Sequence, residues 1–225
     1  MLEKNKKSTY TLKNAEHERT KPILDLSRTV MAEHFVSKTR PWDIINRLSA
    51  HIKERGIELP FDSYDEIAEN IWVHQSVYLS PTAKLTAPVI ICGGAKICHY
   101  SHIECSVIGS FSQIGELSVV KSSITFDKSR LCGHNSLSSS ILGYESIIGV
   151  GAMIPDGRID ELNVAFDMPD GTYLTGRSRL GSVLCDGVSV GACSVVNPGT
   201  VIDVGSKIHP LSSVSGYIPP YSTVR

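Results

Sequence analysis

A chain of 225 residues, 41% hydrophobic and 20% charged, has the length of one large domain or one domain with a small appendage, and its composition excludes wholesale disorder. A formal net charge of −1 leaves no basic footprint for nucleic acid or an anionic membrane surface. Apolar runs such as Val89-Ile90-Ile91-Cys92 are far too short for a membrane span.

The chain opens Met1-Leu2-Glu3-Lys4-Asn5-Lys6-Lys7, with no apolar stretch behind the charges, so no export signal is predicted and a cytoplasmic protein is expected. Residues 1–70 read as a helical or linker segment. The apolar spacing predicts one helix over 24–35 and another over 42–55, with Ile44, Ile45, Leu48 and Ile52 on one face and Gly56 and Pro60 ending it. Such a segment is expected to pack on the first coil of the repeat region beyond it, or to cap that coil and cover an open sheet edge.

From residue 71 to residue 225 the chain is dominated by a repeat of six. Aliphatic side chains open successive hexads at Val73, Leu79, Leu85, Ile91, Ile97 and Ile103; four places after each stands a small or β-branched residue, Val77, Ala83, Val89, Ala95, Ser101 and Val107. A second unbroken series runs Leu184, Val190, Val196, Ile202, Ile208, Val214. Between them the register slips by one and recovers, through Ile108, Ile114, Val120, Phe126, Leu131, Leu137, Leu142, Ile148 and Ile154. Neither an α-helix nor a simple alternating strand has this period. It predicts short strands separated by turns, three to a coil, with the aliphatic side chains filling a triangular prism. Stacked at sheet spacing of about 4.8 Å, the hexads give six to seven coils. One stretch interrupts the repeat: residues 155–182, rich in Asp and Gly and carrying Arg177 and Arg179, form a long excursion, and such loops are often functional. The six cysteines, 92, 98, 105, 132, 185 and 193, form no CxxC pair and read as free thiols.

The hexads, with Glu66-Ile67-Ala68-Glu69-Asn70-Ile71-Trp72-Val73, Ser140-Ile141-Leu142-Gly143-Tyr144, Thr175-Gly176-Arg177-Ser178-Arg179-Leu180-Gly181 and Asn197-Pro198-Gly199-Thr200-Val201-Ile202, carry a resemblance. Over roughly 70–220 the chain resembles the acetyltransferase domain of the bifunctional uridyltransferase/glucosamine-1-phosphate acetyltransferase. It also resembles clostridial proteins described as UDP-N-acetylglucosamine pyrophosphorylase-related. That implies a left-handed parallel β-helix, a homotrimer, and acetyl-CoA lying in a groove between prisms, with an amino sugar or its phosphate as acceptor. Uridyl transfer is not expected, because the segment 1–70 is too short for a nucleotidyl-transfer domain and holds no glycine-rich nucleotide loop.

Carried over residue by residue, Lys121 and Arg179 fall at basic positions of the site, and Ala192 and Pro210 where the CoA arm lies. Arg177 and Asn135 are further candidates for substrate binding. The sequence departs from the family where its catalytic histidine aligns with Gly133, its tyrosine with Ser136, its arginine with Ile103 and an asparagine with Ile147. His134, one place on, is the remaining candidate base, although a one-residue shift on a strand would turn it to the other face. A zinc site built from His99, His102 and His134 is not expected, since the spacing is wrong, and no metal is predicted. Two readings stay open. One is a CoA-dependent acyltransferase; the other is a degenerate trimeric scaffold that binds a sugar nucleotide or a protein partner.

Overall fold

The computed structural model describes residues 24–35 and 40–225. The polar opening of the chain, on which the expectation of no export signal rests, lies outside the described residues. Among the described residues no helix is long and apolar enough to cross a membrane.

The hexads fold as predicted, into a mainly β, parallel solenoid. Its three faces are stacks of two- or three-residue strands. One, here the third face, is an eight-stranded sheet running from 78–79 to 223–224, which makes the solenoid longer than the six to seven coils expected. The other two join into one 14-stranded sheet, because the strands Lys84–Ile91 and His102–Ile108 turn a corner and serve both. Of these, the site face stacks 84–86, 102–104, 119–121, 136–138, 153–154, 195–196 and 213–214. The covered face stacks 71–73, 89–91, 106–108, 124–125, 141–142, 183–184, 201–202 and 217–218. The hexad aliphatics from Ile91 to Val214 are buried in the interior, as the repeat requires.

The register slip has a fixed place. Ile108, Thr125 and Leu142 pair in succession, each step one position short of three full hexads. The shortening falls at the corner between the site face and the covered face, where Cys105, Ser122 and Ser139 take positive φ of 46°, 47° and 45°. Buried serines hold this tight corner. Ser106 Oγ accepts from Ser123 N at 3.1 Å, Ser123 Oγ from Ser140 N at 3.1 Å, and Ser140 Oγ from Ser182 N at 2.9 Å. Two hexad assignments are corrected. Thr125, not Phe126, occupies the inward place, and Phe126 lies one further on, edge-to-face with Phe35 at 5.8 Å between ring centres. Val107 is not a corner residue but faces outward, opposite Ile90 and Ile124.

The described part of the N-terminal segment forms a strap over a lateral face of the prism. Residues 24–35 are two 3-10 turns, Leu26–Arg28 and Ala32–His34, rather than one helix. Asp25 accounts for the first: its carboxylate takes the Ser27 N–H and hydroxyl at 3.1 and 2.7 Å, a local bond that competes with helix propagation. The second predicted helix begins as a 3-10 stretch, Pro41–Arg47, and continues as α1, Leu48–Ile57. Gly56 does not end α1 but lies within it, where any Cβ would strike the ring of Trp72. The strap is tied along the solenoid by Asp25 N to Asp186 (2.7 Å), Asp127 N to Arg28 O (3.0 Å) and stacking of Trp42 on Phe166 (3.9 Å).

Phe166 belongs to the excursion, which folds as an antiparallel hairpin, Ala165–Met168 with Gly171–Leu174. Arg40 bonds Asp170 and Tyr173 at its tip. Strap and excursion therefore pack against each other as well as against the solenoid. Beneath them the outward-facing Trp72, Ile90, Val107, Ile124, Ile141, Val183 and Val201 are all buried. Each such aliphatic contributes about 1.5–3 kcal/mol relative to exposure.

Candidate functional site

With one face covered, a ligand has the site face and the third face available. The corner leading into the site face is a ladder of turns: Leu117 N donates to His99 O, His134 N to Glu116 O, Gly151 N to Gly133 O, Cys193 N to Val150 O, and Leu211 N to Ala192 O. Tyr100, Leu117, His134, Gly151, Cys193 and Leu211 take positive φ there and form a ridge. His134, Ala192 and Pro210 thus share one edge. His134 and Ala192 stand two rungs apart, roughly 10 Å at sheet spacing. The reversal of face that a one-residue shift causes on a strand does not apply to His134, since it stands in a turn between the strands Arg130–Leu131 and Ser136–Ser138. Its imidazole is exposed and bonded by none of the described residues.

Lys121 projects from the site face, one shortened coil above Glu104, and its Nζ lies 3.1 Å from the Glu104 carboxylate. His102 completes this group. Its Nε2 is 3.8 Å from Glu104 and 3.0 Å from Thr86 Oγ1. Burial holds the His102 imidazole below its ordinary pKa, and Lys84 and Lys121 push the same way against Glu104. A neutral ring at physiological pH is able to accept a proton. The sequence alone brings His102 forward only as a zinc ligand. The spacing of Glu104 and Lys121 by one coil is the signal in the sequence for this cluster.

On the far edge of the site face, Arg179 pairs with Asp156 at 2.9 Å, and Asp156 takes a bond from Ser139 Oγ at 2.8 Å. Ser139 N in turn donates to Lys121 O, and Asp156 lies one rung beyond Ser139, so Arg179 stands about two rungs from Lys121, roughly 10 Å at sheet spacing. A cleft of about 570 Å³ opens at the same corner, lined in part by Arg47, Ser49, Lys53, Cys105 and Ser122. Cys105 and Ser122 directly follow Glu104 and Lys121 in the chain. This cleft is not legible in the sequence, because strap and solenoid contribute to it jointly.

Two further expected site residues are bonded within the protein. Asn135 is buried, its Oδ1 taken by Gly133 N and its Nδ2 by the carbonyls of Gly149 and Ala152, at 2.7–3.1 Å. Three of its four side-chain hydrogen bonds go to the corner, which gives it a structural role there. Arg177 bonds Asn46 Oδ1 at 2.6 Å and fastens the excursion to the strap at a residue that also lines the cleft.

No protein-family model matches the chain, and no curated protein matches it. Solved structures do. A variant of AntD, an N-acyltransferase from Bacillus cereus, in complex with dTDP-4-amino-4,6-dideoxyglucose and coenzyme A, aligns at 16% identity with a TM-score of 0.38 over 69% of this chain and 75% of that one. A second AntD variant, with dTDP and coenzyme A, aligns at 16% and 0.39 over 72% and 84%. PerB from Caulobacter crescentus, with CoA and GDP-perosamine, aligns at 21% and 0.21 over 67% of this chain and 51% of that one. At such TM-scores no argument about function passes from these proteins to this chain, and the solenoid rests on its own strand pairing.

Proposed function

We infer that the chain is a CoA-dependent acyltransferase acting on an amino sugar or amino-sugar phosphate. Acetyl-CoA is the expected co-substrate, as the resemblance to the glucosamine-1-phosphate acetyltransferase domain implies, and a homotrimer is the expected working unit. The observation that carries this is the layout of the site face. Lys121 and His102 stand on the uncovered face, with the His134 edge on one side and Arg179 on the other. In acyl transfer the acceptor nitrogen attacks the thioester carbonyl, a base takes the proton, and CoA leaves as its thiol. Lys121 and Arg179 supply charge for a phosphate. Ala192 and Pro210, on the ridge above His134, offer the small edge along which a CoA arm lies. His134 and His102 are the two candidates for the base. The exposed Tyr100, Leu117, Val150 and Leu211 give the ridge an apolar rim suited to a neighbouring copy.

The scaffold reading is favoured by one observation: nothing among the described residues fixes the tautomer or aim of His134, as a catalytic base requires. Thermal melting with acetyl-CoA, with product detection by mass spectrometry, decides between the two readings. At 100 times its dissociation constant the ligand should add about 2.7 kcal/mol. Lys121→Ala and Arg179→Ala should weaken binding of CoA or glucosamine-1-phosphate. His134→Ala or His102→Ala should leave binding intact and remove turnover, identifying the base. Binding without turnover in the wild type supports the scaffold, and no thermal shift with acetyl-CoA overturns the acyltransferase.

A further inference from the structure

The strap carries a group of side chains that the site face does not use. His34 ends the second 3-10 turn, and His51 and Glu54 stand at i and i+3 on one side of α1. Their ligand-capable atoms all lie within 4.8 Å of one another, the only such group of three or more among the described residues. His51 Nδ1 is 3.4 Å and His34 Nε2 3.6 Å from the same Glu54 oxygen, and the two imidazoles meet edge-to-face with ring centres 4.9 Å apart.

Two features distinguish this group from a surface ion pair. The histidine side chains are largely buried, at 13% and 18% exposure, while Glu54 faces solvent at 56%, leaving a side open to water. Neither ring nitrogen of His34 has a hydrogen bond among the described residues: Nδ1 is buried without a partner, and Nε2 meets Glu54 only at 3.6 Å. The nitrogen turned toward Glu54 is Nε2, and its lone pair, committed to no hydrogen bond among the described residues, is left for an ion. Two of the three spacings also fit an ion. Ligands at about 2.0–2.2 Å around a tetrahedral Zn²⁺ are separated by roughly 3.3–3.6 Å, which matches the two distances to Glu54. Two imidazoles and one carboxylate are a common donor set for zinc with a fourth position left to water, and they suit other late divalent metals as well.

We propose that His34, His51 and Glu54 bind one divalent transition-metal ion, Zn²⁺ being the type case, and that this ion pins the 3-10 turn of the strap to α1. The three ligands come from two pieces of the strap separated in sequence, so binding cross-links the element that seals the covered face. The site lies off the site face and does not depend on the acyltransferase reading.

Titration calorimetry of the full chain with Zn²⁺ tests this in a Cys132→Ser/Cys193→Ser background, which removes the two exposed thiols. The expected result is one Zn²⁺ per chain and a rise in melting temperature, with affinity reduced about tenfold or more by Glu54→Gln and by His51→Gln. Replacing His99 and His134 together should leave both readouts unchanged. Glu54 is more than half exposed, so Glu54→Gln keeps the fold and decides the matter even if the His51 variant is destabilised. Co²⁺ should give the visible absorption of a tetrahedral or five-coordinate site, and Glu54→Gln should diminish it. No saturable Zn²⁺ binding, or binding undiminished by Glu54→Gln, overturns the proposal.

Discussion

The covered face and the third face are built from the same strand-and-turn unit and point the same hexad aliphatics inward, yet one is dry and the other wet. The difference lies in a single residue per coil, the one just before the inward residue. On the covered face it is Trp72, Ile90, Val107, Ile124, Ile141, Val183 and Val201. On the third face it is Tyr78, Lys96, Gln113, Arg130, Ile147, Ser189, Lys207 and Thr223. The interior sets the solenoid, whereas this outward column sets what docks on it. An apolar column needs a lid, and the strap and excursion supply it.

Substitution tests the comparison directly. Trp72→Ala opens space beneath Gly56 and α1 and should cost about 3–5 kcal/mol in chemical denaturation. Arg130→Ala, at the equivalent outward position of the third face, should stay within about 0.5 kcal/mol. If both variants unfolded at the same midpoint as wild type, the strap would not be holding the covered face closed.

The same column explains what can be read from the sequence. The inward aliphatics recur every six residues, so the solenoid and its coil stacking are legible without a structure. The covered face is written there too, at a period of one coil. It is hidden because the coils through the tight corner run one position short and because the excursion splits Ile141 from Val183. That shortening is also why strict counting in sixes puts Phe126 in the interior. The strap is harder to read. Its breaks depend on side chains bonding locally, as Asp25 does, and on a contact between Gly56 and Trp72 that no periodicity records. The site is legible only in part. His134, Ala192 and Pro210 do share an edge, while the grouping of His102 with Glu104 and Lys121 needs the true coil length, and the destination of Asn135 and Arg177 needs tertiary contacts.

Asn135 sharpens the distinction between scaffold and site on the corner beside His134. Asn135→Ala leaves buried groups of Gly133, Gly149 and Ala152 without their partner, which should cost about 1–3 kcal/mol. Calorimetry at a temperature where the variant remains folded should show acetyl-CoA binding unchanged. A stable variant that had lost CoA affinity would place Asn135 in the site.

The smallest effect concerns the rim where the strap meets the corner between the covered and third faces. Asp127 is half-buried there, its Oδ1 accepting the Ser110 N–H at 2.7 Å. Burial raises its pKa, outweighing the opposing pull of that bond and of Arg28 and Lys128. A carboxyl whose folded pKa is raised contributes stability that is fully present below its unfolded value, about 3.9, and is lost as pH climbs through the folded value. At neutral pH the ionised Asp127 is therefore a small liability. Asp127→Asn keeps the oxygen that Ser110 needs and removes the charge. The variant should be more stable than wild type at pH 7 by less than about 1 kcal/mol, the effect being limited by solvent screening. The advantage should shrink as pH falls and vanish near pH 3, where wild-type Asp127 is itself neutral. A variant less stable than wild type at pH 7 would mean that attraction to Arg28 outweighs burial. The strap would then be held at this rim by charge rather than by the apolar column beneath it.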